Sequence, residues 1–337
     1  IVARGPAPLS PEIKAKISLF CDVPPEAVIS VPDQAVIYEV PLVLEAQGVG
    51  THLTKLLGLS AREPDYGPWK AFLETHRKSE GSVEIAVVGK YTDLRDAYLS
   101  HSEAFHHVQG RLGCTIRLSW YDAEDLPRDS NAMQRLERSD AVLVPGGFGS
   151  RGVEGKVRAI ELARTRGIPF LGICYGFQMA AVEFARNVLA LPKANTSEVD
   201  PHTPDPVVCL LEDQKAIGGL GGSMRLGSQK VSLSEDSAVA RIYGRTEVWE
   251  RHRHRFEINP TYLDRFRAHG LQVTGRSSDG RVEALELPDH PFFIGVQYHP
   301  EFLSRPESPH PLYVALVQAA LSRKEVPRLD APTPALA

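Results

Sequence analysis

From residue 83 onward, two hydrophobic periods alternate along the chain. Short apolar runs are followed by stretches in which apolar residues recur every three or four positions, the spacings of buried strands and of amphipathic helices. The pattern predicts strands over 83–89, 115–120, 141–144 and 168–173, with helices over 97–108, 131–138, 153–165 and 178–188 between and after them. Strands and helices alternating at these lengths predict an α/β fold, an open, mixed, mostly parallel sheet flanked by helices. Beyond residue 200 the texture turns to strands, over 207–211, 229–233, 247–250, 271–274, 282–287 and 292–297, closed by a helix over 311–321. No internal repeat is visible.

The first sixty residues read differently. A helix is predicted over 11–20, with Ser10 as N-cap and Pro11 in the first turn, then a short strand over 27–31 and a helix over 42–47 closed by Gly48. So few elements rarely build a stable core alone, so this piece is expected to pack on further chain or on a partner. Ile1-Val2-Ala3 reads as the end of a strand cut from something larger, a fragment or a processed subunit. The breaker-rich run Glu63-Pro64-Asp65-Tyr66-Gly67-Pro68 makes 61–82 a linker carrying a connecting helix over 69–77. The main domain is then 83–323, and 324–337, rich in Pro and Ala, is expected to be disordered.

Ligands of parallel sheets bind beyond the strands' carboxyl ends. Two glycine-marked turns lie there. Gly172-Ile173-Cys174-Tyr175-Gly176 joins a strand to a helix as a nucleophile elbow does, with cysteine as the nucleophile. A helix start beside Cys174 favours the thiolate, its reactive form; the plain alternative is a small buried hydrophobe. A thiol nucleophile needs a base, and the base an orienting partner. His299 and Glu301, two apart at the end of the last predicted strand, resemble such a pair. The backbone N–H of Tyr175 and one from Gly146-Gly147, with Gly147 favoured, would face a tetrahedral oxyanion. Gly146-Gly147-Phe148-Gly149 also reads as a tight turn or a weak phosphate loop, but it lacks the Lys-Ser/Thr of a nucleotide-phosphate motif. Most of the twelve histidines are expected on the surface.

Composition narrows the classes. A net charge of -4 implies no general attraction to nucleic acid, and the basic run Arg251 to Arg255 lacks the interleaved aromatics of such a site, so it reads as solvated or acid-paired. Cys21, Cys114, Cys174 and Cys209 show neither metal-ligand nor disulfide-framework spacing and fit a reducing, cytoplasmic setting. No apolar run approaches the ~20 residues of a membrane span, and no signal peptide is visible.

Pro145-Gly146-Gly147-Phe148-Gly149, Leu171-Gly172-Ile173-Cys174-Tyr175-Gly176-Phe177-Gln178 and His299-Pro300-Glu301 together resemble the class I (triad) glutamine amidotransferases. Ala194-Asn195-Thr196-Ser197-Glu198, Gly221-Gly222-Ser223-Met224-Arg225-Leu226-Gly227, 250–257, Gly89-Lys90-Tyr91 and Val153-Glu154-Gly155-Lys156 narrow the resemblance to the CTP synthase family. Phe20-Cys21-Asp22-Val23-Pro24 and Ile37-Tyr38-Glu39-Val40-Pro41-Leu42 resemble the end of that family's synthase (amidoligase) domain.

The resemblance implies ATP-dependent amination of UTP to CTP, with L-glutamine hydrolysed by Cys174, His299 and Glu301 to supply ammonia. It implies glutamine contacts from Gly147, Tyr175, Gly176, Phe177, Gln178, Glu198 and the Arg255 backbone. Lys16 falls where the family contacts a pyrimidine nucleotide, and Gln34 where it contacts adenine. GTP, the family's activator, is expected near Phe148 and Arg225, the plain alternative being a pocket wall at Phe148 and a surface ion pair at Arg225. ATP and Mg2+ belong to the full enzyme; no cofactor or metal site is expected in this chain, because the phosphate loop and magnesium carboxylates should precede Ile1. A homo-tetramer, and binding of the product CTP, are implied in the same way. Two departures stand out. The family's Asn-Ser-Thr-Glu is here Asn195-Thr196-Ser197-Glu198, and its Asp-Val-x-x-Ile-Tyr is Asp33-Gln34-Ala35-Val36-Ile37-Tyr38, which questions the adenine contact. The rivals are a stand-alone γ-glutamyl hydrolase and a catalytically idle interaction or filament subunit.

Overall fold

The computed structural model describes residues 1–60, 62–92, 94–211 and 224–325. The expected disorder of the tail therefore falls almost wholly outside the described residues, as does the Gly221-Gly222-Ser223 portion of one motif. The chain forms two units, Ile1–Glu74 and Thr75–Ala337.

In the first unit β1 (Val2–Gly5) pairs in parallel with β2 (Ile29–Pro32). Helix α1 (Pro11–Cys21) starts where Ser10 accepts a hydrogen bond from the Ile13 N–H, and ends at Asp22 in the left-handed conformation. Helix α2 (Val40–Glu45) is followed by α3 (Val49–Leu56), which the sequence pattern does not predict. Gly48, expected to close a helix, has φ +70° and opens α3 instead. None of the three helices has a fully buried residue, and Leu19, Phe20 and Leu56 stand exposed. Helix α4 covers Gly67–Arg77.

The second unit is built on β3 (Ser82–Gly89), α5 (Leu99–Leu112), β4 (Thr115–Asp122), α6 (Ser130–Arg138), β5 (Ala141–Val144), α7 (Val153–Thr165), β6 (Phe170–Ile173) and α8 (Tyr175–Asn187). Two short strands, β7 (Asn195–Thr196) and β8 (Pro206–Cys209), come next. The mainly β half follows: β9 (Arg225–Leu233), β10 (Glu247–His254), β11 (Glu257–Ile258), β12 (Gln272–Ser277), β13 (Val282–Glu286) and β14 (Phe293–Val296). The helix Pro311–Glu325 ends the described chain, four residues beyond the expected stop.

The main sheet runs β10-β9-β12-β13-β14-β6-β5-β3-β4. From β14 to β4 every pair is parallel; from β13 to β10 every pair is antiparallel. The inner parallel strands β5, β6 and β14 read as unbroken apolar runs because both their faces are covered, whereas the edge strand β4 carries an exposed Arg117. Alternation sends Ala86, Val88, Val142, Val144 and Phe170 into the core beneath α7 and α8. It sends Ile85, Val87, Leu143, Leu171 and Ile173 into the opposite core, with Phe105 of α5 and Leu312 and Leu316 of the last helix. A small sheet, β11-β8-β7, lies apart from the main one; β7 and β11 are two residues long, too short for a readable period.

Strand β10 runs four residues past its expected end. Its inward positions are Val248, Glu250, His252 and His254, so the alternation continues in side chains that are not apolar. The expectation of mainly surface histidines is likewise corrected. His101, His107, His252, His254, His299 and His310 are all buried, each beside a polar partner.

Candidate active site

Three neighbouring parallel strands, β5, β6 and β14, deliver the site. Their register sets Val144 opposite Gly172 and Ile173 opposite Val296, so Gly146, Cys174 and Gln297 leave the sheet at about one level. The Cys174 N–H donates to the Val296 carbonyl at 2.7 Å. One step on, the chain turns sharply, with Cys174 at φ 51°, ψ -100°, and α8 begins at once with Tyr175, three residues before its expected start. A left-handed non-glycine residue is strained, and such strain gathers at functional sites. The first-turn N–H groups of α8 have no partner within the helix, so they and the dipole face the Cys174 side.

The flanking glycines are there for space. A Cβ on Gly176 would lie 2.0 Å from the Val144 carbonyl oxygen, and one on Gly146 would lie 2.9 Å from His299 Cε1. Neither contact is possible, so α8 presses on β5 and the Gly146 loop presses on the imidazole. Gly176→Ala is expected to push α8 off the sheet. It should cost about 3 kcal/mol by overpacking and lower the thermal midpoint by about 6–12 °C. Scanning calorimetry checks this, and an unchanged midpoint would show the contact to be soft.

His299 follows β14, its N–H donating to the Arg251 carbonyl at 2.8 Å. Its Nδ1 meets Glu301 Oε1 at 2.7 Å, and the Phe302 ring stacks on its imidazole, 5.0 Å between centroids. Burial disfavours a charged imidazole here, but Cys174 and the Glu301 carboxylate outweigh it and raise His299 to about 10. Burial likewise opposes charge on Glu301, and His101 and His299 more than reverse it, holding the carboxyl below its usual range. The geometry thus sets a buried imidazole, backed by a carboxylate, on the same side of the Gly146 loop as the elbow cysteine.

The other expected residues fall into three groups. Gly147 lies against the Tyr175 ring. The Tyr175 hydroxyl donates to the Gly149 carbonyl at 2.6 Å, the Gly149 N–H donates to Glu198 at 2.8 Å, and the Lys90 ammonium donates to the Phe148 carbonyl. The loop over Cys174 is therefore held from three sides. The exchanged Thr196 is buried, and its hydroxyl accepts from the Glu198 N–H at 3.2 Å, so the glutamate keeps its anchor. Gln178 is turned inward, donating to the Phe256 carbonyl at 2.8 Å and to Gln297 at 3.1 Å. Phe177 is a core side chain packed on Gly295, so only its backbone is available to a ligand. Arg255, half-buried, follows β10 directly.

Arg225 corrects an expectation. Its guanidinium is not open to a purine or a phosphate: it bridges Glu283 at 2.6 Å and Glu257 at 3.3 Å and also binds Gln229. His252 and His254 meet the same two carboxylates at 3.0 and 3.1 Å, while Arg251 and Arg253 alternate with them on the exposed face, so the run is part acid-paired and part solvated. Phe148 does stand open, 69% exposed, with Lys90 Nζ 5.1 Å from its ring centre. In the first unit Lys16 is exposed on α1, while the Gln34 side chain donates to the Pro32 carbonyl at 2.8 Å. Among the described residues no group of three or more His, Cys, Asp or Glu side chains could hold a metal ion. No described helix is long and apolar enough to cross a membrane.

Two polar residues of this site carry little or no signal in the sequence. Gln297 directs its Nε2 to Cys174 Sγ at 3.7 Å, and its place beside the His-Pro-Glu run is the one local hint of that role. His101 of α5 stands 3.6 Å from Glu301, with no local signal at all.

Comparison with known proteins bears on all of this. Residues 93–319 match the family model "Glutamine amidotransferase class-I", and residues 1–59 match "CTP synthase N-terminus". CTP synthase of Methanopyrus kandleri is 50% identical over 322 residues, 95% of this chain and 60% of that protein. CTP synthase of Thermococcus gammatolerans is 49% identical over 326 residues, 96% of this chain and 61% of that protein. The chain therefore spans about three fifths of the length of these relatives. Among solved structures, the glutaminase domain of Trypanosoma brucei CTPS with bound acivicin superimposes with a TM-score of 0.68 at 38% identity, covering 71% of this chain and 94% of that one. With its elbow cysteine, its His-Pro-Glu turn and both matched segments, the chain belongs to the class-I glutamine amidotransferases of the CTP synthase family.

Proposed function

We propose that this chain hydrolyses L-glutamine and that, within a complete CTP synthase, the ammonia released aminates UTP at the expense of ATP. The observation carrying the first half is the convergence of a strained Cys174 and a buried His299–Glu301 pair at the ends of adjacent strands. The Cys174 thiolate attacks the side-chain amide carbon of glutamine. The resulting oxyanion takes N–H groups of Gly147 and Tyr175. The His299 imidazolium then protonates the amide nitrogen, the C–N bond breaks, and ammonia leaves behind a thioester. Water gives a proton to His299 and attacks the thioester carbon; glutamate departs and the thiolate is restored. Glu301 orients the imidazole throughout. Glu198, Gln178 and the backbone near Arg255 receive the amino-acid end of the substrate, and Glu198 must then exchange the Gly149 N–H for the substrate ammonium.

The second half rests on the matched relatives. UTP, ATP, GTP and CTP, with Lys16 and Gln34 as nucleotide contacts and Phe148 as an effector contact, belong to the reading of the complete enzyme, as do a tetrameric assembly and a cytoplasmic setting. The domain limits 1–60, 61–82 and 83–323 are part of the same reading.

The test measures glutamate and ammonia release from L-glutamine by this chain, then by the complete protein with UTP and ATP present. Release by both, with CTP formed only by the complete protein, is the expected result. No glutamate from the complete protein would overturn the glutaminase reading.

A further inference from the structure

Glu301 is buried, and its surroundings are sparse. Oε1 takes the His299 Nδ1 contact at 2.7 Å, while Oε2 has no hydrogen-bond partner among the described residues. A buried carboxylate with so little direct support is costly unless other polar groups face it. One does. His101, in the first turn of α5 and 4% exposed, places Nε2 at 3.6 Å from Glu301 Oε1. That is longer than a hydrogen bond, but it is close for a dipole facing a charge. The other ring nitrogen, Nδ1, meets the Tyr313 hydroxyl of the last helix at 2.5 Å.

These contacts fix the tautomer. If Tyr313 accepted a proton from Nδ1, the bare lone pair of Nε2 would face a carboxylate, which is repulsive. If Tyr313 donates to Nδ1, Nε2 carries the hydrogen and turns it toward Glu301, and both contacts are favourable. Burial lowers the pKa of His101 and the His299 charge adds to this; the opposing pull of Glu301 does not reverse it. The ring therefore serves as a neutral donor. The groups around it are few: Glu301 and, through it, His299 from the strand end; Tyr313 from the last helix; and the Tyr98 ring, 6.1 Å away.

We propose that His101 is a positioning residue of the glutaminase centre. Clamped by the Tyr313 hydroxyl, it turns its Nε2–H to Glu301 and holds that carboxylate charged and aligned against His299. The proposal rests on the reading that Cys174, His299 and Glu301 hydrolyse glutamine. It extends the line of interacting side chains to Cys174–His299–Glu301–His101–Tyr313, running from the sheet edge into the helical layer.

The experiment compares wild type with His101→Phe, His101→Gln and Tyr313→Phe by two readouts. One is kcat and KM for glutamate release. The other, which needs no glutamine, is the pH dependence of Cys174 alkylation by iodoacetamide, read by peptide mass. Without the Nε2–H, Glu301 accepts a proton at higher pH and releases the imidazolium earlier. The acid limb of the alkylation profile should then move up by about half a pH unit in His101→Phe. The value of kcat should fall about tenfold, the scale of removing one polar group that faces a charge, with KM within about twofold. His101→Gln, which keeps an N–H at that reach, should recover most of both. Tyr313→Phe, which removes one oxygen and keeps the ring's shape, should move both in the same direction by less.

Equal losses in His101→Phe and His101→Gln would mean that only packing matters and would overturn the proposal. So would an acid limb unmoved in both His101→Phe and Tyr313→Phe. If His101→Phe does not fold, Tyr313→Phe decides: a shifted limb supports the proposal and an unshifted one overturns it. If wild type releases no glutamate, the glutaminase reading fails while the alkylation profile still decides whether His101 tunes Glu301 and the thiolate.

Discussion

Cys174→Ala is expected to lower glutamate release from L-glutamine by about 10⁴-fold or more, the scale seen when a covalent nucleophile is removed from a triad. The fold should survive. The left-handed turn, the Val296 hydrogen bond and the start of α8 are backbone features that alanine retains, and only Sγ is removed. The thermal midpoint should stay within a few degrees of wild type. In the complete protein, CTP formation from free ammonia should persist, since that route needs no thiol. Glutamate release within tenfold of wild type would remove Cys174 as nucleophile, whatever became of the fold. A matched loss of ammonia-dependent CTP formation would point instead to a structural role for the residue.

The nucleophile elbow was legible because it sits where two strong local signals meet. An apolar run ends at Ile173, and glycine flanks the cysteine on both sides. The inner parallel strands were legible for a related reason: strands covered on both faces must be apolar throughout, whatever their neighbours. The antiparallel half obeys the opposite logic. Strand β10 keeps strict alternation, but its inward residues are Glu250, His252 and His254, whose burial depends on Glu283, Glu257 and His310, far away in sequence or packed from other elements. Nothing local says that such residues point inward. Arg225 was misplaced for the same reason, since a glycine-rich turn suggests surface until β9 aligns it with Glu283 of β13. His101 is the extreme case. Glu301 lies two hundred residues later, and only the packing of α5 beneath the β14 exit brings the two together. Chemistry carried within one turn is visible in the sequence, whereas chemistry assembled across elements is visible only once they pack.

His299→Ala is the complementary experiment to the cysteine replacement, and a second variant gives it resolving power. His299 both holds the imidazolium beside the thiolate and moves protons to ammonia and from water. Removing it should cost about 10³–10⁴-fold in kcat, the sum of a lost base and a weakened nucleophile. Glu301→Gln keeps the imidazole but replaces the charge that orients it, so a smaller loss, about 10²-fold, is expected. The pH dependence separates the two roles. His299 is raised above its ordinary value by Cys174 and Glu301, so the ion pair is fully present at neutral pH and is lost as pH rises through the raised value. With a cation beside its sulfur, Cys174 should alkylate rapidly at neutral pH in wild type. In His299→Ala the rapid phase should vanish, leaving a thiol that reacts only as pH approaches its ordinary range near 8.5. Glu301→Gln should retain the rapid phase over a narrower span, because an imidazolium with one anionic partner in place of two deprotonates at lower pH. Equal turnover in Glu301→Gln and wild type would remove Glu301 from the triad. A rapid low-pH phase surviving in His299→Ala would show that the start of α8 alone, rather than the imidazolium, stabilises the thiolate.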